Sequence, residues 1–134
     1  MSTIENERPN PFLEGNLAPV SEEVTVFNLE VTGTLPPELD GRYLRNGPNP
    51  IGKVNEKKYH WFTGHGMVHG LRIRGGQAEW YRNRWVRNNE VAQLLGEDIP
   101  ASDWPADHQQ FAANTNVIGH AGKTFAIVEA DRKS

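Results

Sequence analysis

Apolar and polar positions along this chain change their period several times, and each change marks an element. Residues 1–22 carry no period and are broken by three prolines, so they read as an extended lead segment. From Val24 to Val31 the run is rich in β-branched residues and stops at Thr32-Gly33, which predicts a strand. Leu35 to Gly41 holds two adjacent prolines and reads as a turn-rich connection. Arg42 to Arg45 is a short strand that Asn46-Gly47-Pro48-Asn49-Pro50 closes as a rigid corner, because each proline pushes the residue before it out of the helical region. Met67 to Arg74 and Gln77 to Val86 alternate with period two on either side of Gly75-Gly76, the pair that a tight hairpin demands. Val68, Gly70 and Arg72 fall on one face of the first of these strands. Met67, His69, Leu71 and Ile73 fall on the other. Asn89 to Leu95 has room for one or two helical turns before Gly96. Asn114 to Gly119 and Lys123 to Glu129 predict a second hairpin, joined through His120-Ala121-Gly122.

Short strands at this spacing, with glycine-marked turns, predict an all-β fold: a sandwich, barrel or propeller. A propeller blade takes roughly 40 to 50 residues. The 134 residues therefore hold about two blades' worth of strands after the lead segment. An open set of blades leaves unpaired edges and does not close its ring.

Composition narrows the chemistry. There is no cysteine, which removes disulfides, a thiolate metal site and a thiol nucleophile. The net charge of −3 is small and the charges are mixed along the chain, with no basic block for nucleic acid. No cationic stretch followed by an apolar one resembles a signal peptide, and no apolar run approaches the roughly 20 residues of a membrane helix. The expected location is the cytoplasm.

Five histidines (His60, His65, His69, His108 and His120) raise a metal hypothesis. His65 and His69 have the spacing of zinc ligands on a helix, but the glycines around them favour strand or loop. Residues four apart on a strand are about 13 Å from each other, too far for two ligands at roughly 2.1 Å from one metal. The serines Ser2, Ser21, Ser102 and Ser134 occupy no nucleophile elbow. Gly64-His65-Gly66 lacks the lysine and helix of a phosphate loop. Tyr81 to Arg87 interleaves base and aromatic residues, a pattern open to single-stranded nucleic acid. With a negative net charge, its plainer reading is a strand whose arginines pair with acids or carbonyls. Arg42 and Arg45 are expected to tie down loop carbonyls or carboxylates beside the corner.

Four strings together carry more than any one of them. Gly33 to Pro50 (GTLPPELDGRYLRNGPNP), Tyr59 to Gly70 (YHWFTGHGMVHG), Tyr81 to Arg87 (YRNRWVR) and Ala113 to Val117 (ANTNV), in this order, resemble the opening part of the carotenoid cleavage oxygenases. The likeness covers about residues 10 to 129. It implies the N-terminal part of a seven-bladed β-propeller, about the first one to two blades, with the ring incomplete. On this reading residues 1–22 are the extended segment, and residues 23–134 are a partial propeller domain truncated at its C-terminus. The family's activity would be inherited from the parent enzyme. There a non-haem iron(II), held by four histidines from separate blades, activates dioxygen. A carbon–carbon double bond of a carotenoid, apocarotenoid or stilbene-like substrate is then split to carbonyl products.

The resemblance places the first iron-binding histidine beyond this segment, and the His-Pro context of that ligand does not occur here. His60 and His69 fall in signature strings but are not the family's ligands. His65 stands where relatives often carry Asp. No catalytic, cofactor-binding or metal residue is therefore assigned, and the chain alone is expected to bind no iron and cleave no polyene. The implied partners are the apolar substrate and O₂, with no nucleic acid, no transmembrane segment and an open question of peripheral membrane contact for the full-length protein. The alternative from a different class is a small non-catalytic all-β binding or assembly module. A His-based hydrolase has only the His65/His69 spacing behind it.

Overall fold

The computed structural model describes residues 8–99, 101 and 111–129. His108, Ser2, Ser102 and Ser134 lie outside these residues. Six strands and one short helix follow in chain order: β1 (Thr25–Phe27), β2 (Gly41–Pro48), β3 (Gly66–Arg74), β4 (Gln77–Trp85), α1 (Asn89–Leu94), β5 (Asn116–His120) and β6 (Lys123–Ile127). Strands β1 to β4 form one antiparallel sheet in the order β1-β4-β3-β2, while β5 and β6 pair with each other. A four-stranded antiparallel sheet is the size of one propeller blade.

The central hairpin forms as its sequence dictates. Gly75 and Gly76 both take positive φ (58° and 74°), the backbone of a two-residue turn whose twist matches the strands. The register sets Gly47, Met67 and Trp85 side by side across the sheet, and likewise Arg45, His69 and Asn83. The two faces expected from the alternation are therefore the two faces of the sheet. Arg72 pairs with Trp80 but Ile73 with Ala78, so Glu79 is left over and β4 carries a bulge near the turn.

The second hairpin starts at Asn116 rather than Asn114 and ends at Ile127 rather than Glu129, with a turn of Ala121-Gly122, and two further boundaries move for a local reason. Strand β1 covers only Thr25–Phe27 rather than Val24 to Val31, because Asn28 adopts a left-handed conformation (φ 53°), which asparagine tolerates. Strand β2 does not stop at Arg45 but runs to Pro48. Asn46, Gly47 and Pro48 pair with Val68, Met67 and Gly66, so the rigid corner begins only at Asn49. Pro48 is accommodated because β2 is an edge strand and Pro48 is its last residue.

The core is small. Met67, Trp85 and Val91 form its centre, with Ile51 and Leu95 packed on it. Asn88 caps α1 by accepting a hydrogen bond from the Val91 amide at 2.8 Å, and Gly96 (φ 72°) follows the helix end. This fixes Val91 against the sheet. Apolar side chains elsewhere face outward: Phe27, Tyr43 and Phe62 are 60%, 64% and 73% exposed, and Ile118, Phe125 and Ile127 of the β5–β6 hairpin are exposed as well. A two-stranded hairpin with an exposed apolar stripe is marginal in water unless another surface covers it.

Candidate functional site

Buried asparagines, not arginines, organise the region around the Asn46–Pro50 string. Asn49 is 5% exposed, and its side chain grips Val20 at both backbone groups. Oδ1 accepts from the Val20 amide at 2.7 Å, and Nδ2 donates to the Val20 carbonyl at 2.9 Å. This is the bond pattern of a strand partner supplied by one side chain. The Asn49 backbone amide donates to the His65 carbonyl, and its carbonyl accepts from the Trp85 indole at 2.9 Å. Asn83, 1% exposed, repeats the device: its Oδ1 accepts from the Val24 amide at 2.6 Å and its Nδ2 donates to the Glu22 carbonyl. Asn114 donates to the carbonyls of Phe62 and Gly64, and Asn46 donates to those of Ala113 and Asn116. Apart from Asn116, which opens β5, the backbone groups that these amides satisfy lie outside the strands, where buried polar backbone still requires partners.

These clamps frame a cavity of about 340 Å³ between the lead segment and β2. Leu17, Ala18, Val20, Pro48 and Trp61 give it an apolar wall, while Arg45, Asn46 and His69 give it a polar one. Next to His69 stands Tyr81, whose hydroxyl is 2.6 Å from its Nδ1. Burial, helped by the nearby Arg45 charge, holds the His69 imidazole below its ordinary value of 6.5, so it is neutral at pH 7. Arg45 makes no hydrogen bond or ion pair among the described residues.

The histidines are not brought together. His60 caps the short 3-10 turn Trp61–Thr63 through its Nδ1, and its ring lies between those of Phe12 and Phe62, tilted to both. His65 Nδ1 accepts from the Ile51 amide and its Nε2 lies 3.4 Å from Glu90. His69 belongs to Tyr81, and His120 ends β5. Among the described residues no group of three or more His, Asp or Glu side chains could hold a metal ion. The residues here do not fit a four-histidine iron centre.

The glycines of Gly64-His65-Gly66 serve close packing. A Cβ on Gly66 would meet the carbonyl oxygens of Ala112 and Ala113 at 2.4 Å, and one on Gly64 would meet Pro48 at 2.8 Å. In the Tyr81–Arg87 string, Arg84 donates to the carbonyls of Val24 and Asn83. Arg87 bridges Glu23 and Glu97, and Arg82 lies over the Trp80 ring. Arg42 and Arg45 were expected to tie down the loops; the asparagine amides do that instead, since an amide offers donor and acceptor together and a guanidinium only donates. No local sequence signal marks them as a set: Asn46 and Asn49 stand beside Gly and Pro, but Asn83 lies between two arginines of β4 and Asn114 between Ala113 and Thr115.

The family model described as retinal pigment epithelial membrane protein matches residues 17–133. A carotenoid cleavage oxygenase of Mycobacterium tuberculosis is 58% identical over 125 residues, which is 92% of this chain and 25% of that protein. A carotenoid 9,10(9′,10′)-cleavage dioxygenase of Crocus sativus is 32% identical, over 96% of this chain and 28% of its own length. The solved structure of Pseudomonas brassicacearum lignostilbene dioxygenase superposes with a TM-score of 0.67 and 26% identity, over 87% of this chain and 26% of that one. The chain thus spans about a quarter of the length of these relatives, and its sheet and hairpin form part of a β-propeller. It belongs to the retinal pigment epithelial membrane protein family, that of the carotenoid cleavage oxygenases.

Proposed function

We propose that this chain provides the first blade and the start of the second to a non-haem iron(II) dioxygenase. The enzyme would split a carbon–carbon double bond of a carotenoid, apocarotenoid or stilbene-like substrate into two carbonyl products, with O₂ as co-substrate. The observation that carries the proposal is the 58% identity to a carotenoid cleavage oxygenase along 92% of the chain. On this reading residues 1–22 are the lead segment, residues 23–134 belong to the propeller, and none of them ligates iron. The chain's own work is mechanical: its asparagine clamps fix the lead segment and the next hairpin against the sheet. The exposed faces of Phe27, Tyr43 and the β5–β6 hairpin are where neighbouring blades would pack. We place the protein in the cytoplasm, with peripheral membrane contact where an apolar polyene has to be collected. No helix among the described residues is long and apolar enough to cross a bilayer.

A chimera tests this. Residues 1–129 of this chain replace the matching quarter of the Mycobacterium tuberculosis relative, and the purified protein is assayed for bound iron and for cleavage of a carotenoid and a stilbene. Iron loading with turnover within about tenfold of that relative is expected, a loss of at most about 1.4 kcal/mol in transition-state stabilisation. A folded, iron-loaded chimera without cleavage of either substrate would refute the proposal. So would stoichiometric iron and turnover by the chain alone.

A further inference from the structure

The arginines of β3 and β4 are all engaged. Arg72 pairs with Asp40, Arg74 with Glu79, Arg84 with carbonyls, and Arg82 with the Trp80 ring. Arg45 of β2 is different: it lines the cavity of about 340 Å³ and has no partner among the described residues. Across the register from it is His69, which lines the same cavity. Its Nδ1 is taken by the Tyr81 hydroxyl and its Nε2 has no partner among the described residues. When Tyr81 donates to Nδ1, Nε2 carries the ring hydrogen and is a donor. Opposite these groups, Leu17 and Val20 of the lead segment and Trp61 are each more than a third exposed, although Asn49 holds the segment in place. An unpaired cation, a neutral donor and an apolar wall with an indole thus share one concave space of the size that takes a small organic molecule.

We infer that this cavity is a binding site for a small amphipathic monocarboxylate, with its carboxylate on the Arg45 guanidinium and its apolar body against Leu17, Val20, Pro48 and Trp61. A carboxylate matches the forked donors of arginine and gains a charge-assisted bond. A neutral imidazole beside it adds a donor without adding a second charge to desolvate. Among the described residues a dianion such as phosphate finds one cation in this lining, so the site favours a single negative charge. The site uses no iron and does not depend on the oxygenase reading: its ligand touches the lead segment, β2, β3 and the Trp61–Thr63 turn of this chain.

The probe is 3-phenylpropionate, with 3-phenylpropanol as its uncharged counterpart, titrated into the full chain and followed by ¹H–¹⁵N NMR. Weak binding, with a Kd on the order of 1 mM, is expected for a ligand of about a dozen heavy atoms. The shifts should centre on the Arg45 side chain, the Trp61 indole and the Leu17–Val20 amides. The alcohol should bind at least about tenfold more weakly, and Arg45→Met, which keeps the stem and removes the charge, should lose the acid by a similar factor. Leu17→Glu supplies a second variant: it places a carboxylate in the cavity and should abolish acid binding while the sheet signals stay in place. Equal binding of acid and alcohol, shifts elsewhere than the cavity, or an unchanged affinity in Arg45→Met would each overturn the inference.

Discussion

Gly66 is the position where adding one carbon should do most harm. It is buried at the start of β3, its amide donates to the Ala112 carbonyl at 2.9 Å, and its carbonyl accepts from the Val86 amide at 2.8 Å. In Gly66→Ala the new methyl would stand 2.4 Å from two carbonyl oxygens and 2.8 Å from the carbonyl carbon of Ala113. Ordinary contact begins near 3.5 Å, so both carbonyls must retreat by about 1 Å. These are backbone atoms of a segment that Asn46 also holds, so no rotamer change can relieve the clash. Overpacking of this kind costs about 1–3 kcal/mol, and the retreat breaks a hydrogen bond worth about 1 kcal/mol. The expected loss is about 2–4 kcal/mol, concentrated where the 112–116 segment meets the sheet. Gly47→Ala is the control, because nothing lies within 4 Å of its added carbon. Urea titration followed by tryptophan fluorescence gives the stabilities, and hydrogen exchange at Asn116–Ile127 reports release of the β5–β6 hairpin. If the two variants unfold at the same midpoint with the hairpin equally protected, the packing argument for Gly66 is wrong.

Three further expectations can be checked on the same material. Asn49→Ala removes both side-chain bonds to Val20 while leaving the Asn49 backbone bonds intact; it should cost about 1–3 kcal/mol and expose residues 14–20 to limited proteolysis well before the sheet unfolds. The Arg87 hydrogen bond and charge, opposed by burial, hold the Glu23 carboxyl below its ordinary value of 4.5. The stabilisation it brings is therefore complete above about pH 4.5 and is lost as the pH falls through the depressed native value. Acid titration of Glu23→Gln should lose this part of the pH dependence, with about 1–2 kcal/mol less stability at pH 7. Ala121 sits at φ 50° in the two-residue turn between β5 and β6; Ala121→Asn, the residue such turns prefer, should raise hairpin protection in hydrogen exchange by about 0.5–1 kcal/mol.

What the sequence makes legible follows from how local each signal is. The Gly75-Gly76 turn, the short helix before Gly96 and the alternation in β3 and β4 are decided within a few residues, and the structure places them where the pattern does. The boundary of β2 is not local. Arg42 to Pro48 reads as a strand that breaks at Asn46, yet pairing with Gly66–Val68 carries it three residues further, because an edge strand can lose one amide without losing its ladder. The asparagine clamps are less legible still. Asn49 meets Val20, Asn83 meets Val24, and Asn114 meets Phe62 and Gly64, across 29, 59 and about 50 residues. Nothing in a one-dimensional pattern separates such an asparagine from one in a solvated turn. Arginine beside a corner suggests a tie, but the groups to be tied include amides, which arginine cannot serve.

The same fact explains why the strings that identify the family are poor guides to its chemistry. Asn46-Gly47-Pro48-Asn49-Pro50 is distinctive because several constraints fall on neighbouring residues. Asn46 must reach Ala113 and Asn116, Pro48 must end an edge strand, and Asn49 must hold Val20 with its side chain while its backbone serves His65 and Trp85. Few residue combinations satisfy all of these at once, so the string is specific without touching a reacting atom. Gly64-His65-Gly66 is specific for a related reason, since two backbones cross there with no room for a side chain on either glycine. Substitutions in these strings should therefore act first on how the lead segment and the β5–β6 hairpin are held. They should act on any reaction only through the blades those segments position. Arg45 stands apart from these packing demands: like Arg42 it makes no hydrogen bond or ion pair among the described residues, and it is the one of the two that lines the cavity beside His69, where its charge is left to act on something outside the sheet.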